Sequence, residues 1–339
     1  KAGINLSDKY LYDIGFSQKS FYELSPQDIL NAVPLLKKIT DWNQSNQSGN
    51  SMYSSACMKL AEYFIEVQST RILSKPFLLL AGISGTGKTR FVRKQVECSG
   101  DLNETYCLTS VRPDWHEPSD LLGYVSRLSG QAEYVVTDVL KFIVKAWIEI
   151  AKSAVSLNGN TTLGSQAQQQ QVRPFWLCLD EMNLAPVEQY FADYLSVLET
   201  REWLWKSNEF EYKCDPLLKP SLLKSIEQDK LKEALGLIDH DDLWQHFVQN
   251  GISIPFNLIV AGTVNMDETT HSFSRKVIDR ALTFDFGEFF PNSFDEFFVP
   301  NKEPKVLSYP VWSDGRNKVE LAGSVDSDGA LSIALLESI

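Results

Sequence analysis

Apolar and polar positions change rhythm several times along the chain. Residues 26–39 and 55–67 read as two helices, and the polar run Asn43-Gln44-Ser45-Asn46-Gln47-Ser48-Gly49-Asn50 between them reads as a loop. From residue 76 the pattern becomes an apolar strand over 77–81, a glycine-rich turn and a helix over 90–98. A second strand is expected at 106–110 and a long apolar-periodic helix at 135–153. The glutamine-rich residues 158–171 lack the apolar side chains to join a core and are expected to form an exposed polar loop.

The run Phe175-Trp176-Leu177-Cys178-Leu179 is continuously apolar and ends in Asp180-Glu181, the pattern of a central parallel strand covered on both faces. A helical pattern follows over 187–200. Trp203 and Trp205 alternate in a short strand or hairpin, and 217–249 reads as a helical insertion. A last buried strand spans 258–264 and ends in Asn265. Strands alternating with helices indicate an α/β fold, a parallel sheet flanked by helices. The expected organisation is an N-terminal helical segment at 1–75, an α/β domain at 76–290 and a C-terminal extension at 291–339.

Composition narrows the class. At 339 residues, 43% hydrophobic and 22% charged, the chain has the make-up of an ordinary globular protein with a substantial core. No stretch approaches the roughly 18 uninterrupted apolar residues of a membrane span, so no membrane partner is expected. A formal charge of −12 argues against a surface devoted to the phosphate backbone of nucleic acid. The five cysteines are odd in number and carry no CxxC pair, the usage of a reduced, cytoplasmic protein. His116, His240, His246 and His271 are scattered without metal-ligand spacing.

The glycine turn carries the chemistry. Gly82-Ile83-Ser84-Gly85-Thr86-Gly87-Lys88-Thr89 matches G-x-x-x-x-G-K-[ST] in full, between an expected strand and an expected helix, the context a P-loop requires. Backbone N–H groups around Gly82, Ser84, Gly85, Thr86 and Gly87 would wrap phosphates, Lys88 would reach the β and γ phosphates, and the Thr89 hydroxyl would ligate Mg²⁺. Arg90 completes the nucleotide-contacting stretch. Asp180-Glu181 fits a Walker B pair, with Asp180 on Mg²⁺ and Glu181 as general base. By itself, such a pair is usually a solvated strand end. Asn265 fits a sensor beside the γ phosphate, although asparagine at a strand exit is otherwise a common turn former. Arg280 follows the basic pair Arg275-Lys276. Without context this is a surface cluster, but in ring-shaped triphosphatases an arginine here reaches the neighbouring subunit's γ phosphate.

Three longer stretches resemble the McrB-type AAA+ proteins, the motors of modification-dependent restriction systems. They are Val111-Arg112-Pro113-Asp114-Trp115-His116-Glu117-Pro118-Ser119-Asp120-Leu121-Leu122-Gly123-Tyr124, then Leu179-Asp180-Glu181-Met182-Asn183-Leu184-Ala185-Pro186-Val187-Glu188. The third is Asn257-Leu258-Ile259-Val260-Ala261-Gly262-Thr263-Val264-Asn265-Met266-Asp267-Glu268-Thr269-Thr270-His271-Ser272-Phe273-Ser274, running on to Arg280. The resemblance covers roughly residues 76–290 and implies an AAA+ fold and a homo-oligomeric, typically hexameric ring. It also implies GTP hydrolysis coupled to movement on DNA, and a McrC-like nuclease partner. Where that family carries aspartate then arginine, three and four places after the asparagine, this chain has Glu268 and Thr269, with Asp267 one place early. ATP therefore stays open beside GTP. Residues 286–339 are rich in Gly, Pro, Ser and Asp where a helical lid is expected, so the lid reads as incomplete, with a helix starting at 331–339. The alternative class is a MoxR- or dynein-related ATPase that remodels proteins. Trp115 and Tyr124 either face a ring channel or pack a long loop against the domain, the second being the commoner use of such aromatics.

Overall fold

The computed structural model describes residues 8–16, 24, 26–48, 51, 53–59, 70–128, 130–266, 273–286 and 306–313. The chain divides at residue 70 into two compact units, with residues 306–313 belonging to the second.

The second unit is built on five parallel strands: β1 (Phe77–Gly82), β2 (Tyr106–Ser110), β3 (Phe175–Asp180), β4 (Leu258–Asn265) and β5 (Leu282–Asp285). Their order across the sheet is β5-β1-β4-β3-β2. Every residue of β1 and β4 is buried, which is why both read as unbroken apolar runs rather than alternating ones. Helices cover the sheet: α1 (Lys88–Ser99), α2 (Asp138–Lys152) and α3 (Ala192–Leu198). Helix α2 buries Leu140, Ile143, Val144, Trp147 and Ile150, and Thr137 caps its first turn by accepting from the Leu140 N–H at 3.2 Å.

Register decides where the chemistry sits. Asn265 of β4 pairs with Gly82 of β1, and the β4–β3 ladder closes with Gly262 opposite Leu179. The glycine loop, Asp180-Glu181 and Asn265 therefore leave the same edge of the sheet. That edge is formed by the strands' carboxyl ends, where open α/β sheets hold their ligands.

Several sequence expectations change. The helix expected over 135–153 begins at Asp138. Before it, Glu133–Val136 pairs with Gly123–Ser126 as a hairpin, because Val135 and Val136 suit a strand and Thr137 turns the chain. Residues 158–171, expected as a loop, form a hairpin of Ser156–Asn158 with Thr161–Ser165 and then a helix, Gln166–Gln171. Few apolar residues are needed there. Thr161–Ser165 is held by a backbone ladder to Glu209–Lys213, Gly164 lies under the Phe210 ring, and Ser165 and Gln168 form a capping box. The tryptophan pair does form a strand, Glu202–Lys206, in the same four-stranded sheet. The insertion at 217–249 holds three helices, Pro220–Ser225, Gln228–Ala234 and Asp241–Asn250.

In the first unit, Pro26–Leu36 is helical, and so is Thr40–Ser48 where a loop is expected. Trp42 and Asn46, one turn apart, share its buried face, and the Asn46 Oδ1 accepts the Ser54 N–H at 2.9 Å. One buried aromatic and one satisfied amide do the work that an apolar stripe does elsewhere. Residues 53–59 are helical; 60–67 and the helix expected at 331–339 lie outside the described residues. Of the expected lid only residues 286 and 306–313 are described, where Leu307–Ser308 is a short strand parallel to Arg71–Ile72 rather than a helix. Among the described residues no helix is long and apolar enough to cross a membrane.

Candidate active site

The loop from β1 to α1 turns through Gly85 and Gly87 at φ of 82° and 86°, a left-handed region that costs other L-residues energy. The N-cap of α1 is Gly87, which has no side chain to cap the first turn, so the helix N-terminus opens onto the loop through backbone alone. Lys88 is buried, and its ammonium donates to the carbonyls of Gly82 at 2.9 Å and Ile83 at 2.7 Å. The Thr86 hydroxyl donates to the Ile83 carbonyl at 2.9 Å. Ser84 and Arg90 are exposed, and Arg90 lines an open groove of about 540 Å³ with Thr89, Arg93, Lys94 and Glu97.

The Thr89 hydroxyl donates to Asp180 Oδ1 at 2.9 Å, so the end of the glycine loop and the end of β3 meet directly. The same oxygen accepts the Thr263 hydroxyl at 2.7 Å. Burial pushes the Cys178 thiol up to about 12, and the Asp180 charge adds to it. Glu181 takes a left-handed conformation, φ 53° and ψ 49°, which costs a non-glycine residue on the order of 1–2 kcal/mol. Two bonds hold it there: its N–H donates to Thr263 Oγ1 at 2.9 Å, and its carbonyl accepts the Leu184 N–H, also at 2.9 Å. The turn brings the carboxylate to Asn265, whose Nδ2 donates to Glu181 Oε1 at 3.1 Å.

Asn265 is held in its turn by Asn183. The Asn183 amide donates to the Asn265 carbonyl at 3.0 Å and accepts the Asn265 N–H at 3.4 Å. Met182 fills the space beneath, against Gly262, where an added Cβ would collide with its Sδ. The structure thus brings Lys88, Thr89, Asp180, Glu181 and Asn265 together.

Arg280 is not part of this cluster. Its guanidinium pairs with Glu199, just after α3, and donates to the Lys276 carbonyl at 2.6 Å, leaving the side chain 20% exposed. Lys75 braces that turn, donating to the carbonyls of Asp279 at 2.7 Å and Ala281 at 2.9 Å, and burial lowers its pKa. Trp115 packs edge-on against Tyr190 at 5.3 Å, the packing alternative, while Tyr124 stays 54% exposed on its hairpin. Asp267, Glu268 and Thr269 lie outside the described residues.

The sequence reading missed Thr263, Asn183, Glu199 and Lys75. Only Thr263 left a signal: a hydroxyl inside an apolar run, two places before Asn265 and therefore on the same face of the strand. Comparison of the sequence with known protein families finds no match, and none of the curated proteins compared matches it.

Proposed function

We propose that the chain is a nucleoside triphosphatase of the AAA+ type that hydrolyses GTP, or ATP, in an oligomeric ring. On this reading it is McrB-like and powers a DNA restriction complex with a McrC-like nuclease. The observation that carries the hydrolase reading is the Thr89–Asp180 hydrogen bond, which joins the glycine loop to a carboxylate pair whose second member is oriented by Asn265. The McrB-like assignment is supported by the resemblance of the three stretches quoted above, and the ring, DNA and nuclease come with it.

The site fits Mg²⁺. Thr89 and Asp180 offer hard oxygen donors side by side, and Mg²⁺ is usually held by one or two carboxylates with substrate phosphates and water. When bound, Mg²⁺ supplies neutralisation of the charge that develops on the phosphate oxygens.

The chain's own residues do the rest. Lys88 exchanges its two loop carbonyls for β- and γ-phosphate oxygens, while the N–H groups of the loop and of α1's first turn bind the remaining phosphate charge. Glu181 takes a proton from the water that attacks the γ phosphorus, and the bond to the β–γ bridging oxygen breaks. Asn265 keeps the carboxylate aimed at that water. In a ring, Arg280 leaves Glu199 for the adjacent subunit's γ phosphate.

The test is turnover of GTP and ATP by the full-length protein, with and without DNA and a candidate nuclease. Glu181→Gln should retain nucleotide binding and lose hydrolysis. Loss of binding in that variant would remove Glu181 from the role of base. A preference for ATP, indifferent to DNA and nuclease, would replace the restriction reading with that of a protein-remodelling ATPase.

A further inference from the structure

We infer that Thr263 is a positioning residue that locks the metal-holding carboxylate and the catalytic base into one unit; the inference rests on the hydrolase reading above. Thr263 lies within β4, which is buried along its whole length, at 2% exposure. An unsatisfied hydroxyl there would be costly, and this one is satisfied twice. The direction of each bond is fixed by chemistry. The Glu181 N–H can only donate, so Thr263 Oγ1 accepts there, and the hydroxyl's own proton points at Asp180 Oδ1.

The position explains why a side chain is needed. The backbone ladder between β4 and β3 ends at Gly262 opposite Leu179, one residue short of Asp180. Beyond that point Glu181 departs into a left-handed turn and no regular pairing can hold it. The Thr263 hydroxyl bridges that gap. Two residues on, on the same face, Asn265 takes the Glu181 carboxylate. Thr263 thus fixes the backbone of the base and Asn265 fixes its head group. Through the shared Asp180 Oδ1, the geometry extends to Thr89. Thr263 acts through the two residues its hydroxyl joins, Asp180 and Glu181.

The test compares Thr263→Val, which keeps the shape and deletes the hydroxyl, with Thr263→Ser, which restores it. Manganese(II) binding is measured by electron paramagnetic resonance with a non-hydrolysable GTP analogue, binding of the same analogue is measured in EDTA, and kcat and KM are measured with Mg²⁺ and GTP, all on the full chain. Removing a partner that orients a metal ligand typically costs about 10–100-fold in metal affinity or activity. Thr263→Val should lose that much in both manganese affinity and kcat, with analogue binding in EDTA unchanged, and Thr263→Ser should recover most of it. Manganese affinity and kcat within about twofold of wild type in Thr263→Val would overturn the inference. So would a Thr263→Ser variant as impaired as Thr263→Val, because that pattern belongs to packing. If Thr263→Val does not fold, the comparison passes to Thr263→Ala against Thr263→Ser with the same criteria. Wild type and Glu181→Gln run alongside: a wild type that neither binds the manganese–analogue pair nor turns over refutes the hydrolase reading itself and the inference with it.

Discussion

Exchanging Asn265 for aspartate puts a carboxylate where an amide donor now meets Glu181 Oε1 at 3.1 Å. At an effective dielectric of about 20, two unit charges at that separation repel by about 5 kcal/mol. The two carboxylates therefore cannot both ionise at neutral pH, and the pair keeps one proton. Below the pair's raised pKa the shared proton blocks Glu181 as a base; above it Glu181 is free. The kcat of Asn265→Asp should accordingly be very low near pH 6 and climb with pH toward a plateau. Asn265→Ala removes the donor without adding charge. It forfeits a hydrogen bond to a charged group, about 1.5–3 kcal/mol, which is roughly a 10–150-fold loss of kcat with no new pH dependence. Steady-state turnover of the three proteins from about pH 6 to 9.5 is the assay. Superimposable profiles for the Asp and Ala variants would show that residue 265 and Glu181 are not neighbours in the working protein.

Two other outcomes follow from the ion pairs. The Arg173 guanidinium grips Glu149 through two bonds, at 2.6 and 2.9 Å, and this holds the Glu149 carboxyl below its ordinary value near 4.5. A depressed folded-state pKa stabilises above the unfolded value and is lost as pH falls through the folded one; Glu149→Gln should unfold at lower urea than wild type at about pH 7, and the gap should close in acid. A gap that stays constant would assign the effect to packing. Arg280→Ala should lose hydrolysis, and mixing it with Lys88→Ala subunits should restore part, since mixed rings pair an intact loop with an intact arginine. No recovery at any ratio would confine Arg280 to its contact with Glu199.

Strands β1, β3 and β4 were legible because they are buried on both faces, so their sequences are unbroken apolar runs, whereas β5, Leu282–Asp285, has one buried residue and carried no such signal. Strands β2 and β3 and the apolar run of β4 lie where the pattern puts them. Elements that rely on partners distant in sequence were not. The strand Thr161–Ser165 has little apolar content of its own; its packing surface is Phe210, and its ladder partner, Glu209–Lys213, lies beyond β3 and α3. Thr40–Ser48 likewise depends on Trp42 and on an amide that meets Ser54. Periodicity within a window cannot register either device.

The same distinction runs through the candidate site. Lys88 with Thr89, and Asp180 with Glu181, stand in short motifs whose spacing is local. What makes the pair Asp180-Glu181 more than a solvated strand end is non-local: Thr263 reaches it across 83 residues of sequence, and Asn183 reaches Asn265 across 82. These two side chains replace the backbone ladder where the strands can no longer pair, and the left-handed turn at Glu181 leaves them nothing else to replace it with. A strained turn persists only where its surroundings over-determine it. Here the restraint comes from the Thr263 hydroxyl, the Asn183 amide and Asn265, and the turn directly after β3 sends Asp180 toward Thr89 and Glu181 toward Asn265.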